Sequence, residues 1–194
     1  MKKKLLAGVL AFFVSTLSFG QIFRCTGELK NGVTPVSLHF VEYLQFRYLL
    51  LVGEVSIFLE EPHIDQLRMI LEKFETWEAL AREGQISLTK TIDSVKFSEF
   101  HYNHTFFKEP LTFYFIFTGG PADPDRADPA AADGVKTVPR AKYNLYVDTT
   151  LDAAAPFRLS RETVREVLQA LSPEHLAESR AVYEQQRALE NLFN

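Results

Sequence analysis

Hydrophobic and polar residues alternate along much of the chain, and this two-residue period predicts β-strands. The clearest case is the segment 110–120, PLTFYFIFTGG. Its apolar phase holds Leu111, Phe113, Phe115 and Phe117, whereas Tyr114 belongs to the mixed opposite phase. Because successive side chains of a strand point to opposite faces, we expect the phenylalanine face to be buried.

Other features predict further strands and the turns between them. Asn31-Gly32 tolerates the positive φ of a tight hairpin turn. The segment 36–60 is rich in aromatic and β-branched residues, and Gly53 near its middle predicts a bend or bulge. The apolar phase of the segment 85–102 changes around Asp93-Ser94, which predicts a bulge or a turn, since one extra residue reverses the face of every later side chain.

Three segments show helical spacing instead. The first follows Pro62, and its apolar face recurs every three or four residues: Ile64, Leu67, Leu71, Phe74, Trp77, Leu80 and Ala81. Ser160 and Ser172 are suitable N-cap residues for two further helices near the end of the chain.

The order of these elements is strands, helix, strands, helices, without regular β-α alternation. This order predicts an α+β domain. We expect a mostly antiparallel sheet of about five to seven strands, with one central amphipathic helix and a C-terminal helix pair. Residues 21–194 are enough for a single domain of this kind.

The first twenty residues carry the pattern of a secretory signal peptide. Three lysines precede an apolar stretch from Leu5 to Phe19, and small residues flank Phe19, so cleavage is predicted between Gly20 and Gln21. The alternative is a retained anchor, although this stretch is shorter than the roughly 20 residues that span a bilayer. The segment 38–59 is interrupted by charged and polar residues and predicts no second span. We expect an exported protein, periplasmic or extracellular.

An acidic, Pro-rich and Ala-rich insert occupies residues 119–140, between two predicted strands. Asp123, Asp125 and Asp128 supply oxygen ligands, but the prolines between them and the missing closing glutamate do not match a calcium loop. The composition predicts a flexible, solvated connection. A contact arm for a protein partner is the alternative.

Charge and cysteine content narrow the function classes. Loss of residues 1–20 removes three of the 21 Lys and Arg residues and none of the 25 acidic ones, so the net charge moves from −4 to −7. A net-acidic domain without a basic run argues against nucleic-acid binding. Cys25 is the only cysteine, which excludes an intramolecular disulfide and leaves a partly buried free thiol or an intermolecular bridge.

The sequence shows no pattern of a known reaction. It contains no nucleophile elbow, phosphate-binding glycine loop or dinucleotide fingerprint. His101 and His104 are three residues apart and would face opposite sides of a strand, so they share a metal only across a turn at Asn103. We assign no catalytic residue, cofactor or metal ligand.

We therefore expect an exported soluble envelope protein that acts as a non-enzymatic protein-binding or structural module. Its candidate contacts lie in the insert and in the last helix: Asp123, Asp125, Asp128, Leu189, Leu192 and Phe193. The alternative is a carrier of a small apolar ligand, held between sheet and helices. Its candidate lining residues are Phe113, Tyr114, Phe115 and Phe117.

Overall fold

The computed structural model describes residues 20–43, 46–120, 142–151 and 154–192. In these ranges the chain forms ten strands: β1 Gln21–Leu29, β2 Gly32–Tyr43, β3 Phe46–Val52, β4 Val55–Leu59, β5 Leu88–Phe97, β6 Phe100–Tyr102, β7 Thr105–Phe107, β8 Leu111–Gly120, β9 Lys142–Thr149 and β10 Phe157–Ser160. The helices are α1 Glu61–Glu83, α2 Arg161–Ala170 and α3 Pro173–Leu192. The predicted signal peptide, apart from Gly20, and insert residues 121–140 lie outside the described ranges.

All ten described strands belong to one curled antiparallel sheet in the order β5-β8-β9-β10-β1-β2-β3-β4-β6-β7. The expected α+β class is correct, but the expected count of five to seven strands is wrong. The missed strands β6, β7 and β10 have only three or four residues. Three or four positions are too few to distinguish a two-residue period from chance, even in β10, where burial does alternate.

The turns follow the local sequence signals. Gly32 has a φ of +139° next to the β1–β2 turn, and Gly53 has a φ of +58° in the β3–β4 turn, so both predicted bends are confirmed. The register of β5 against β8 shifts between Thr91 and Asp93, which confirms a bulge close to the predicted position.

Helix α1 packs its apolar face on the sheet. Its buried residues include Ile64, Ile70, Leu71, Phe74 and Ala81. The rings of Phe74 and Trp77 lie 5.6 Å and 6.1 Å from the ring of Phe117 on β8. The expected central position is wrong in detail, because α1 contacts mainly β5 and β8, at one end of the strand order. Leu80 does not join the buried face and is 60% exposed.

Helix α1 also covers part of the sheet edge. Gln66 Nε2 donates to the carbonyl of Ser94 at 3.0 Å, and Lys73 Nζ donates to the carbonyl of Ile92 at 3.1 Å. The opposite edge strand, β7, has three residues. Occupied edge carbonyls and a very short edge strand both disfavour pairing with another chain.

Two capped helices follow β10. The backbone N–H of Thr163 donates to Ser160 Oγ at 3.2 Å, and that of His175 donates to Ser172 Oγ at 3.2 Å. Val164 and Val167 bury one face of α2. The predicted helix pair is thus confirmed. Among the helices of the described ranges, none combines the length and the apolar character needed to span a bilayer.

Candidate functional site

Helix α3 is attached to the domain along one face only. Leu176 and Tyr183, seven residues apart, pack against the core, and Arg180 lies on the same side. The ring of Tyr183 stacks on Phe40 at 5.9 Å, with the planes 25° apart, and the guanidinium of Arg180 lies 5.5 Å from the centre of the Phe40 ring. These contacts fix the orientation of α3 against β2.

A closed triangle of hydrogen bonds anchors this face. The hydroxyl of Tyr48 donates to Glu61 Oε2 at 2.6 Å and accepts from Arg180 Nη2 at 2.9 Å. Arg180 Nη2 also donates to Glu61 Oε1 at 2.5 Å. Because Tyr48 lies on β3 and Glu61 opens α1, the triangle joins α3 to both the sheet and the first helix.

The protonation of the triangle follows from its contacts. Burial and then the bond to Glu61 raise the pKa of Tyr48, which therefore keeps its proton and remains a donor. Burial alone would raise the pKa of Glu61. The hydrogen bonds from Tyr48 and Arg180, with the charge of Arg180, outweigh this effect and hold the pKa of Glu61 below its ordinary value. Bonding to Glu61 raises the pKa of Arg180. A charged Glu61–Arg180 pair follows at neutral pH.

The other side of α3 carries an apolar surface, here called the outer face. Val182 and Leu189 are seven residues apart and lie roughly 120° around the helix from Leu176 and Tyr183. The outer face consists of Ala181, Val182, Gln185, Ala188, Leu189 and Leu192, all exposed. Val182 and Leu189 are each 52% exposed and Leu192 is 77% exposed. Between residues 181 and 192 the only polar side chain of this face is the uncharged Gln185.

The structure therefore exposes two of the predicted partner contacts, Leu189 and Leu192, on one helix face. The third contact predicted in this helix, Phe193, lies outside the described residues, as do Asp123, Asp125 and Asp128 of the insert. Val182 was not among the predicted contacts, yet the structure exposes it on the same face as Leu189. The seven-residue spacing between the two positions was the signal for this shared face.

The residues predicted to line an apolar ligand are divided between the two faces of β8. Phe113, Phe115 and Phe117 are buried, and Phe117 packs against Phe74 and Trp77 of α1. Tyr114 points to the opposite face and is 40% exposed. The four aromatic side chains therefore do not converge on one volume, and α1 side chains fill the space over Phe117.

His101 and Cys25 lie in environments that disfavour their charged forms. The ring of His101 lies 5.8 Å from that of Phe58 and 5.0 Å from that of Phe106, and burial lowers its pKa. Cys25 is a half-buried free thiol whose pKa is raised to about 11 by burial and by the charge of Glu166. Within the described residues, no three His, Cys, Asp or Glu side chains are grouped to hold a metal ion.

Comparisons with known proteins give no relative. A scan against protein-family models, a search of curated proteins and a search of solved structures each returned no match. The fold and the surface define this chain as an α+β domain with an anchored C-terminal helix that exposes an apolar face.

Proposed function

We propose that the protein is an exported, non-enzymatic protein-binding module that contacts its partner through the outer face of α3. The observation that carries this proposal is the uncharged, exposed surface from Ala181 to Leu192 on a helix whose opposite face is firmly attached. Export rests on the signal-peptide pattern of residues 1–20. The non-enzymatic role rests on the absence of catalytic patterns from the sequence.

The spacing of the outer face suits insertion into an apolar groove of another protein. Val182 and Leu189 are seven residues apart and Leu192 follows three residues later, and both spacings are typical of the anchor residues with which amphipathic helices fill such grooves. Burying the exposed parts of these three side chains would contribute about 3 kcal/mol. The sheet edges are less suitable for a partner, because α1 occupies carbonyls of β5 and β7 is short.

Site-specific photo-crosslinking tests the proposal in the intact protein. A photoreactive amino acid at position 185 lies at the centre of the outer face, and the same probe at position 69 of α1, where Met69 is 58% exposed, reports background. The crosslinking variant is combined with Leu189→Glu or, as a matched control, with Leu80→Glu. Both leucines lie on helices and are exposed to similar extents, 52% and 60%.

We expect one discrete protein adduct from position 185, absent from position 69. Leu189→Glu should reduce its yield at least about tenfold, because a charge would enter the apolar contact. Leu80→Glu should leave the yield unchanged. Equal yields from the two probe positions, or equal losses with the two leucine variants, would exclude the outer face as the contact.

A further inference from the structure

A cavity of about 230 Å³ opens on another part of the surface, where the last turn of α1, the start of β9 and the β10–α2 junction meet. Four cationic side chains line it: Arg82, Lys142, Arg158 and Arg161. The carboxylates of Glu28 and Glu162 also line it. The whole chain has a net charge of −4, so this group of cations is a local departure from an acidic protein.

Some of this charge is already neutralised. Arg158 Nε lies 2.7 Å from Glu28 Oε2, and these two half-exposed side chains form a pair. Glu162 opens α2, and hydrogen bonds from its own backbone N–H and from Ser160, followed by the charges of Arg161 and Arg165, hold its pKa below the ordinary value. Its charge therefore acts on the helix N-terminus and on Arg161. Lys142 makes no ion pair within the described ranges.

The remaining two arginines share one carboxylate. Glu78 is 2% exposed, and its Oε1 accepts from Arg82 Nε at 2.7 Å. Its Oε2 lies 3.2 Å from Arg161 Nε. The four cations together face three carboxylates, those of Glu28, Glu78 and Glu162, so one positive charge is left over at the cavity wall.

Arg161 also has unused hydrogen-bonding capacity. Its Nε is buried and has no hydrogen-bond partner among the described residues, because the contact with Glu78 is poorly aligned. A buried donor without an acceptor is energetically unfavourable, and native structures usually satisfy such groups with water or an ion. Arg161, which lines the cavity, therefore carries a donor that the described residues leave unsatisfied.

Arg82 is held in place before any ligand arrives. Its guanidinium lies 5.4 Å from the centre of the Tyr143 ring, while Glu78 holds its Nε. The hydroxyl of Tyr143 donates to the carbonyl of Ala81 at 3.2 Å, which fixes the ring. A side chain that is already ordered loses little entropy on binding.

We propose that this cavity binds a small organic anion through a carboxylate or phosphate group, recognised by Arg161, Lys142 and Arg82. Arginine forks match the oxygens of both groups, and a lysine adds a point charge. The volume is below the usual range of about 300–1,000 Å³ for ligand pockets, which favours a small ligand. The site is separate from the outer face of α3, so the two proposals can fail independently.

An NMR titration of the full mature chain tests the site. The probes are inorganic phosphate and succinate, added at an ionic strength matched with sodium chloride. We expect saturable shifts of the backbone amides of Lys142, Asn144, Arg161 and Glu162 with at least one probe. Lys142→Gln changes an exposed side chain and should lower the affinity about tenfold, the loss typical of one charge-assisted hydrogen bond. Lys96→Gln on β5 is the matched control and should have no effect.

Each outcome of the titration either identifies the chemical group of the ligand or overturns the proposal. Saturation by phosphate alone assigns a phosphate ligand, and saturation by succinate alone assigns a carboxylate ligand. The proposal is overturned if neither probe saturates, if chloride reproduces the shifts, or if Lys96→Gln and Lys142→Gln lose affinity equally. The affinity of the Arg161→Gln variant is a second measurement. If Arg161→Gln does not fold, the comparison of Lys142→Gln with Lys96→Gln decides the test.

Discussion

The substitution Tyr48→Phe removes a single hydroxyl from the anchor of α3 and preserves the packing of the ring. The side chain of Tyr48 is fully buried, and its ring lies 5.4 Å from that of Phe40, so a phenylalanine fits the same space. The variant loses the hydrogen bonds of 2.6 Å to Glu61 and 2.9 Å from Arg180.

The expected loss follows from the charges and exposure of the two partners. A hydrogen bond to a charged group contributes about 1.5–3 kcal/mol. The side chains of Glu61 and Arg180 are 53% and 43% exposed, so water replaces part of what the hydroxyl gave them. We therefore expect the free energy of unfolding to fall by about 1–2 kcal/mol, or Tm by about 3–6 °C for a domain of this size.

Urea unfolding followed by fluorescence measures this loss, because Trp77 is the only tryptophan and contacts Phe117 in the core. Tyr114→Phe is the matched control, since the hydroxyl of Tyr114 has no hydrogen bond among the described residues, and it should leave stability unchanged.

The pKa of Glu61 is lower in the folded protein than its unfolded value of about 4.3, so the contribution of Glu61 to stability is present above that pH. It is lost as pH falls through the folded pKa. The difference between wild type and Tyr48→Phe should therefore be smaller at pH 3 than at pH 7.

Two results would refute this reasoning. A loss below about 0.3 kcal/mol at pH 7 is within the usual error of such comparisons and would mean that the triangle does not hold α3. A difference that increases on acidification would mean that the hydroxyl does not act through the charged form of Glu61.

A pair of substitutions and one chemical reaction test other parts of the structure. Phe117→Ala should lower the free energy of unfolding by about 3–5 kcal/mol, because the ring is fully buried between Phe74, Trp77 and Tyr143. Tyr114→Ala on the opposite face should cost less than about 1 kcal/mol, and equal losses in urea titrations would contradict the assignment of faces. Cys25 should react with iodoacetamide at pH 8 roughly a hundredfold more slowly in the folded than in the urea-unfolded chain, since its pKa rises from 9.0 to about 11. Equal rates in both states would show that the thiol is accessible.

Local patterns predicted the long elements well. The phenylalanine phase of β8, the capping serines and the hairpin glycine each depend on neighbouring residues, and each is confirmed. The bulge in β5 was also visible, because a change of apolar phase leaves a trace in the sequence. Leu80 was misassigned because helical spacing alone does not tell how wide the covered stripe of α1 is.

Contacts between distant segments were not predictable in the same way. Glu78 has the sequence context of a solvated helix residue, yet Arg161, 83 positions away, helps to bury it. The triangle joins Tyr48, Glu61 and Arg180 from three separate elements. No period or motif links these positions. The exposure of Leu189 was predictable in part, because α3 has more apolar residues than fit on the one face that contacts the domain.

The pairing of Gly120 with Lys142 at the end of the β8–β9 ladder has a consequence for protein engineering. The two strands are held in register up to this pair, and at Gly119 a Cβ would lie only 2.5 Å from Tyr143 Cδ1, so the strands approach too closely there for a side chain. The chain thus leaves the sheet at Gly120 and returns to it at Lys142, at adjacent points. Doubling the length of a loop between two fixed ends costs only about 0.6 kcal/mol. This junction is therefore the position at which a reporter domain, or new chain termini, can be introduced while the ten-stranded register is kept.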